Sequence, residues 1–234
     1  MADAQIICAE LFPAGFHLEN AGEMIYGEGV CANQTVSILG TRNSAPIGVD
    51  LAFALAGKLL EIIKKSPQQA ILVLVDTQGQ LLSRRDELLG NAGYLAHLSK
   101  CFELARIQGH PIISLVYNEA VSGGYLALGM MADQSYALSH AQIRVMALPA
   151  MSRITLIPLD QLEELCKSSP IFGPGVANYL SMGALDGVWE KNLANSLELA
   201  LNHPQTEDRR AERGSQLGGR TKADFVIRTI KKAK

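Results

Sequence analysis

The chain has 234 residues, 48% of them hydrophobic and 19% charged, with a formal net charge of −2. This length and balance suit one large α/β domain, or at most two small ones, around a substantial core, and they exclude an extensively disordered chain. A slightly acidic balance provides no basic field to neutralise phosphates, which argues against nucleic acid as the main partner.

Residues 1–20 show little periodicity and Pro13-Ala14-Gly15 breaks any helix there, so an N-terminal arm or edge segment over residues 1–21 is expected, followed by one domain over 22–234. The segments 24–30 and 35–40, separated by Ala32-Asn33-Gln34, read as a β-hairpin. Residues 49–65 form an amphipathic helix: Asp50 lies near its start, Leu51, Leu55, Leu59 and Ile62 recur at helical spacing, and Lys64-Lys65 close it before Pro67. The apolar, β-branched run 70–76 is too short for a helix and suits a strand buried on both faces, as in a parallel sheet. Polar residues 83–87 open into a helix expected over 88–108, ended by Gly109-His110-Pro111. A second buried strand follows at 111–117, then a glycine turn, a helix over 125–131 and a third strand at 134–138. Beyond Ile143 the pattern is helical and irregular, with helices expected at 159–167, 176–182, 193–201 and 225–231 and a turn at 172–175. Lys231, Lys232 and Lys234 suit the end of a terminal helix.

Cys8, Cys31, Cys101 and Cys166 are widely spaced and read as reduced core residues, and no metal site is visible. Asp3 and Glu10 near the start, and the lack of any run of about 18 uncharged apolar residues, point to a cytoplasmic protein without a membrane span.

The succession of strand, glycine loop and helix occurs twice, which is a parallel βαβ arrangement that brings both loops to the same carboxyl edge of one sheet. In the second loop, Ser122-Gly123-Gly124 leads from a buried strand into a helix. Adjacent glycines permit φ > 0 and a close backbone approach, and the first helical turn presents N–H groups at the positive end of the dipole. Such a turn can hold an oxyanion; equally, the glycines can serve close packing of a helix on the sheet.

The loops and their flanks resemble a known superfamily. Val75-Asp76-Thr77-Gln78-Gly79 looks like the Asp-Thr-Pro-Gly loop of carboxyltransferase subunits, and Glu119-Ala120-Val121-Ser122-Gly123-Gly124, with Ala127 and Asp133, looks like their second loop. The stretches 145–155 and 167–175 are similar to the gamma subunit of biotin-independent malonate decarboxylase, a resemblance that covers about residues 22–230. Gln78 stands where most biotin-dependent carboxyltransferases carry proline, which the decarboxylase branch accommodates better. The resemblance implies an α/β crotonase/ClpP-like spiral with a helical C-terminal part. It implies a heteromeric decarboxylase with beta and acyl-carrier transferase (alpha) subunits and an active site at the interface with beta. It also implies a malonyl thioester substrate on an acyl carrier protein whose prosthetic group derives from dephospho-CoA, with no cofactor covalently bound to this chain. By the same resemblance the N–H groups of Gly124 and Tyr125 are the expected oxyanion donors, with Gly123 in the same turn and Gly79 contributing from the opposing loop. The runner-up is an acyl-CoA carboxyltransferase subunit.

Other residues compete for a role. Glu87, Glu103 and Glu119 are possible acids or bases with ordinary readings as surface charges, and His97 and His110 suit structural positions. Ser122 with His140 and Asp133 forms the residue set of a Clp-like serine hydrolase. A scaffold that completes a partner's pocket is a third reading, and Arg84-Arg85 is either a solvated helix start or an attractor of an acidic carrier.

Overall fold

A computed structural model describes residues 3–168, 173–205, 207–219 and 222–232. The chain opens with α1 (Ala4–Leu11), turns at Pro13-Ala14, and enters an antiparallel meander of β1 (Phe16–Ala21), β2 (Met24–Cys31) and β3 (Gln34–Thr41). The expected hairpin is β2–β3, and its turn holds Ala32 and Asn33 at φ 49° and 60°, the left-handed pair that matches strand twist in a two-residue connection. Short β4 (Pro46–Ile47) precedes α2 (Val49–Lys65). Then come β5 (Ile71–Thr77), β6 (Gly79–Gln80), α3 (Arg84–Leu88), α4 (Asn91–Ile107), β7 (Ile112–Val121) and α5 (Ser122–Leu128). A 3-10 turn (Gly129–Met131) leads to β8 (Gln134–Leu138) and β9 (Gln142–Arg144). The remainder comprises α6 (Leu148–Thr155), α7 (Leu159–Ser168), α8 (Val176–Ser181), β10 (Gly187–Trp189), α9 (Leu193–Asn202), α10 (Arg210–Gln216) and α11 (Ala223–Lys232). The turn expected at 172–175 and the terminal Lys234 lie partly or wholly outside the described residues.

The main sheet runs β1-β2-β3-β5-β7-β8-β10, with β9 also paired to β7, and β4 and β6 form a second small sheet. From β3 onward the neighbours in the main sheet are parallel, so the sequence's buried apolar runs are the strands covered on both faces. Side chains alternate across β5: Ile71, Val73 and Val75 enter a core under α2 and α4, while Leu72 and Leu74 enter a second core shared with α1 and α9.

Three sequence expectations change. Residues 4–11 are a helix, and its buried residues Ala4, Ile7, Cys8 and Leu11 do follow helical spacing over two turns, too short a run to stand out beside Pro13. The Asp3 side chain caps it by accepting from the Gln5 N–H at 2.9 Å. The helix expected over 88–108 is divided at Gly90, where φ is 76°. Its first part, α3, stands apart because buried Asp86 accepts from the Val49 N–H at 2.8 Å and so supplies the N-terminal cap that Gly48 cannot. Hydrogen bonds from Ser83 and from Val49 hold the Asp86 carboxyl below the usual carboxylate range. Finally, α6, α10, β9 and β10 are short elements not anticipated from the sequence.

Because Leu11 is fully buried in the second core, Leu11→Ala is expected to cost about 2–5 kcal/mol in denaturant unfolding. A loss below about 0.5 kcal/mol, the range of neutral surface changes, would show that α1 is not part of the folded core.

Candidate functional site

Parallel pairing of β5 with β7 brings the two glycine loops together at the carboxyl edge of the sheet. The register slips just before that edge: Val75 faces Val116, but Thr77 faces Ala120, so Tyr117, Asn118 and Glu119 lie opposite Asp76 alone. Asp76, 1% exposed, fills the bulge. Its carboxylate accepts from the Asn118 side chain at 2.9 Å, the Glu119 N–H at 3.3 Å and the Ser44 N–H at 2.9 Å. One buried carboxylate therefore ties two segments, the turn at Ser44 and the bulge of β7, to the end of β5, and hydrogen bonds to a carboxylate are of the stronger kind. The bulge extends β7 to Val121, beyond its expected end at 117, and aims the turn that follows.

At the first loop Gly79 takes φ 105°, a conformation that favours glycine, and its N–H donates to Thr77 Oγ1 at 3.0 Å. Thr77 Oγ1 in turn donates to the Ala45 carbonyl at 2.6 Å. At the second loop Ser122, although not glycine, has φ 50° and opens α5 directly after β7. Left-handed backbone at a non-glycine residue carries strain that such a turn must be held to keep. The two loops touch: a Cβ on Gly124 would lie 2.7 Å from the carbonyl carbon of Gly79 and 2.9 Å from its Cα. Gly123 is covered by a side chain, for its N–H donates to Gln80 Oε1 at 3.0 Å.

Helix α5 starts at Ser122, three residues before the expected 125, so the glycine pair lies inside its first turn. With Val121 as the N-cap, Gly123 and Gly124 lie in the first turn, before the intrahelical bonds begin, and Tyr125 follows them directly. Tyr125 contributes a buried ring against Tyr179, with centroids 6.3 Å apart, and among the described residues its buried hydroxyl has no partner. Burial, with Tyr179 adding to it, pushes that hydroxyl's pKa well up.

Beside the turn, Glu119 pairs with Arg144 in a partly buried ion pair where β7 meets β9. Arg144 also lines a groove of about 850 Å³ whose walls include Leu126, Met130, Met146, Met151 and Met182. Sequence reading weighed Glu119 but passed over Arg144 and Gln80, since neither belongs to a residue pattern with a chemical signature.

The remaining candidates do not converge. Asp133 precedes β8 at the amino edge, where it accepts from Arg106 Nε at 2.5 Å and from the Ile112 N–H at 2.9 Å. Ile112 begins the strand that ends just before Ser122, roughly 30 Å away at about 3.3 Å per residue, so Ser122 and Asp133 form no triad. His140 is exposed in the turn after β8. Glu103 pairs with Arg106 on α4, Glu87 is exposed on α3, and His97 is exposed on α4. His110 is buried at the amino edge and donates from Nδ1 to the Gln69 carbonyl at 2.8 Å. Arg85 forms a two-pronged surface pair with Asp50, at 2.8 and 3.1 Å.

The chain matches the malonate decarboxylase gamma subunit family over residues 42–234. The malonyl-S-ACP:biotin-protein carboxyltransferase of Malonomonas rubra is 32% identical over 131 residues, which is 55% of this chain and 45% of that protein, so the match spans less than half of that relative's length. Among solved structures, a Pseudomonas malonate decarboxylase hetero-tetramer in complex with coenzyme A has a TM-score of 0.81 at 23% identity, over 97% of both chains. A Pseudomonas malonate decarboxylase MdcD–MdcE hetero-dimer has a TM-score of 0.76 at 24% identity, over 96% of both. The transcarboxylase 12S core, with methylmalonyl-coenzyme A and methylmalonic acid bound, has a TM-score of 0.70 at 18% identity, over 88% of this chain and 42% of that one. The fold is thus the crotonase-like α/β fold of the carboxyltransferases, as the sequence implied.

An unpartnered buried hydroxyl costs about 1–3 kcal/mol, so Tyr125→Phe is expected to raise the melting temperature by a few degrees while leaving the backbone of the turn unchanged. A fall in melting temperature would show that the hydroxyl has a partner in the folded protein.

Proposed function

The chain belongs to the malonate decarboxylase gamma subunit family, and from that premise we propose that it acts with a beta subunit to decarboxylate malonyl-S-acyl carrier protein to acetyl-S-acyl carrier protein and CO2. The bond between the malonyl Cα and its carboxylate breaks, and CO2 leaves. The electron pair passes to the thioester as an enolate, and one proton taken up at Cα gives the acetyl group. The charge that must be stabilised grows on the thioester oxygen. Fixed backbone donors stabilise it without reorganising, and loss of one donor typically costs about 3–4 kcal/mol.

One observation carries this reading: the Gly79 backbone occupies the space in which a Gly124 side chain would stand, at the mouth of a helix N-terminus on the sheet's carboxyl edge. The N–H groups of Gly124 and Tyr125 supply the donors, with Gly79 contributing from the opposing loop. Gly79 and Gly123 set their position, through the abutting loop and the Gln80 contact respectively, and the buried Tyr125 ring anchors the turn. The methionine-lined groove beside Leu126 suits a flexible thioester arm derived from dephospho-CoA. Exposed Phe225 and Ile230 of α11, with Val145 and Ile154, leave apolar surface of the kind that a subunit partner covers. The acyl carrier protein and the acyl-carrier transferase (alpha) subunit complete the proposed complex. The proposal includes a cytoplasmic location. Among the described residues no helix is long and apolar enough to cross a membrane.

A second reading follows from the Malonomonas rubra relative, whose name describes transfer to a biotin protein. Release of CO2 that is insensitive to avidin selects the decarboxylase; dependence on a biotinylated acceptor selects the transferase. Co-purified with its beta subunit, the chain is expected to release CO2 from malonyl-S-acyl carrier protein, and alone it is expected to release none. Activity of the isolated chain would contradict a site at the subunit interface. In the same complex Gly124→Ala, which pushes a methyl group against the Gly79 backbone, is expected to lower kcat by about 100-fold or more. Retention of full kcat in an assembled Gly124→Ala complex would remove the turn from the mechanism.

A further inference from the structure

We propose that the Gln80 carboxamide is a further catalytic donor, its Nε2 group hydrogen-bonding the thioester oxygen beside the Gly124 N–H. This inference rests on the decarboxylase reading above. The orientation of the carboxamide is decided by its partner. Gly123 presents an N–H, which can only donate, so the oxygen of Gln80 must face it, and the contact is made at 3.0 Å. The amino group is thereby turned onto the other limb: a point placed at a Gly123 Cβ lies 2.9 Å from Oε1 but 3.9 Å from Nε2. Nε2 has two hydrogens, and among the described residues it donates to none. In effect the Gly123 donor is covered by Gln80, and the donor left to the pair is Nε2.

The carboxamide is also held at both ends, as a catalytic donor requires. Its backbone lies in β6, where Gln80 is in register with Ile47 of β4, and the next residue, Leu81, donates to the Ile47 carbonyl at 3.0 Å. Its head is fixed by α5. Gly79, immediately before it, is the residue that abuts Gly124, so the side-chain donor and the backbone donor arise from the same contact between the two loops. A donor so constrained pays little reorganisation when charge develops.

The test compares wild-type, Gln80→Glu and Gln80→Leu chains in complex with the beta subunit, measuring CO2 release from malonyl-S-acyl carrier protein. Gln80→Glu keeps an oxygen for the Gly123 N–H and nearly the same shape, but replaces the donor by an acceptor. Its kcat is expected to fall at least 100-fold, with KM changed less than threefold and the melting temperature of the complex unchanged. Gln80→Leu removes donor and cover together and is expected to lose at least 10-fold in kcat. A Gln80→Glu complex within threefold of wild type overturns the proposal, as does a Gln80→Leu complex faster than wild type, because the side chain would then be a plug over the Gly123 N–H. Wild-type complex that releases no CO2 overturns the decarboxylase reading and this inference with it, whereas an active wild type with an active Gln80→Glu overturns this inference alone.

Discussion

The contact between the Gly79 backbone and Gly124 is the constraint on which the rest of the site depends. Any side chain at Gly124 would have to enter the space of another main chain, which cannot yield as a flexible side chain can. Three arrangements hold the two loops at that distance. Thr77 folds the first loop back on itself and onto Ala45, Asp76 fills the bulge that lengthens β7, and Ser122 accepts left-handed backbone so that α5 can begin without a spacer. All three sit at the carboxyl ends of parallel strands, where the chain leaves the sheet and its backbone groups are no longer committed to neighbours.

Buried charge is used here for position. Asp76 is acceptor to two backbone N–H groups and one side-chain amide from two different segments, and Asp86 performs a similar service for the start of α2. In each case a short acidic side chain satisfies donors that the irregular backbone leaves without partners, which a buried segment cannot afford to leave unmade. The ion pair of Glu119 with Arg144 lies one step further out, between the bulge and the groove, and joins β7 to β9 by charge as well as by strand pairing.

The strands were legible because a sheet covered on both faces needs continuous apolar runs, and 70–76 and 111–117 are such runs. Helix α2 was legible to the residue, since its stripe, its acidic start and its lysine end agree with one another. The split between α3 and α4 was not, because it follows from Asp86 reaching across to Val49, 37 positions away in sequence. Nor was the early start of α5, which depends on a bulge whose register is set by a neighbouring strand. That difference brings Gly123 and Gly124 into the first turn of the helix. Gln80 and Arg144 were silent for a related reason: an isolated glutamine or arginine has no period or spacing, and gains meaning only from what the fold sets beside it.

By itself, then, the sequence determined the fold class, the family, and the pair of glycine loops, because these are written in local apolar patterns and in short motifs whose residue types have few alternatives. Only the tertiary structure decided that Gly79 and Gly124 touch, that α1 belongs to the core, that Ser122 and Asp133 lie at opposite edges of the sheet, and which N–H groups are already engaged. These are distances between segments far apart in the chain, and they emerge from strand register and close packing, which no stretch of residues specifies alone.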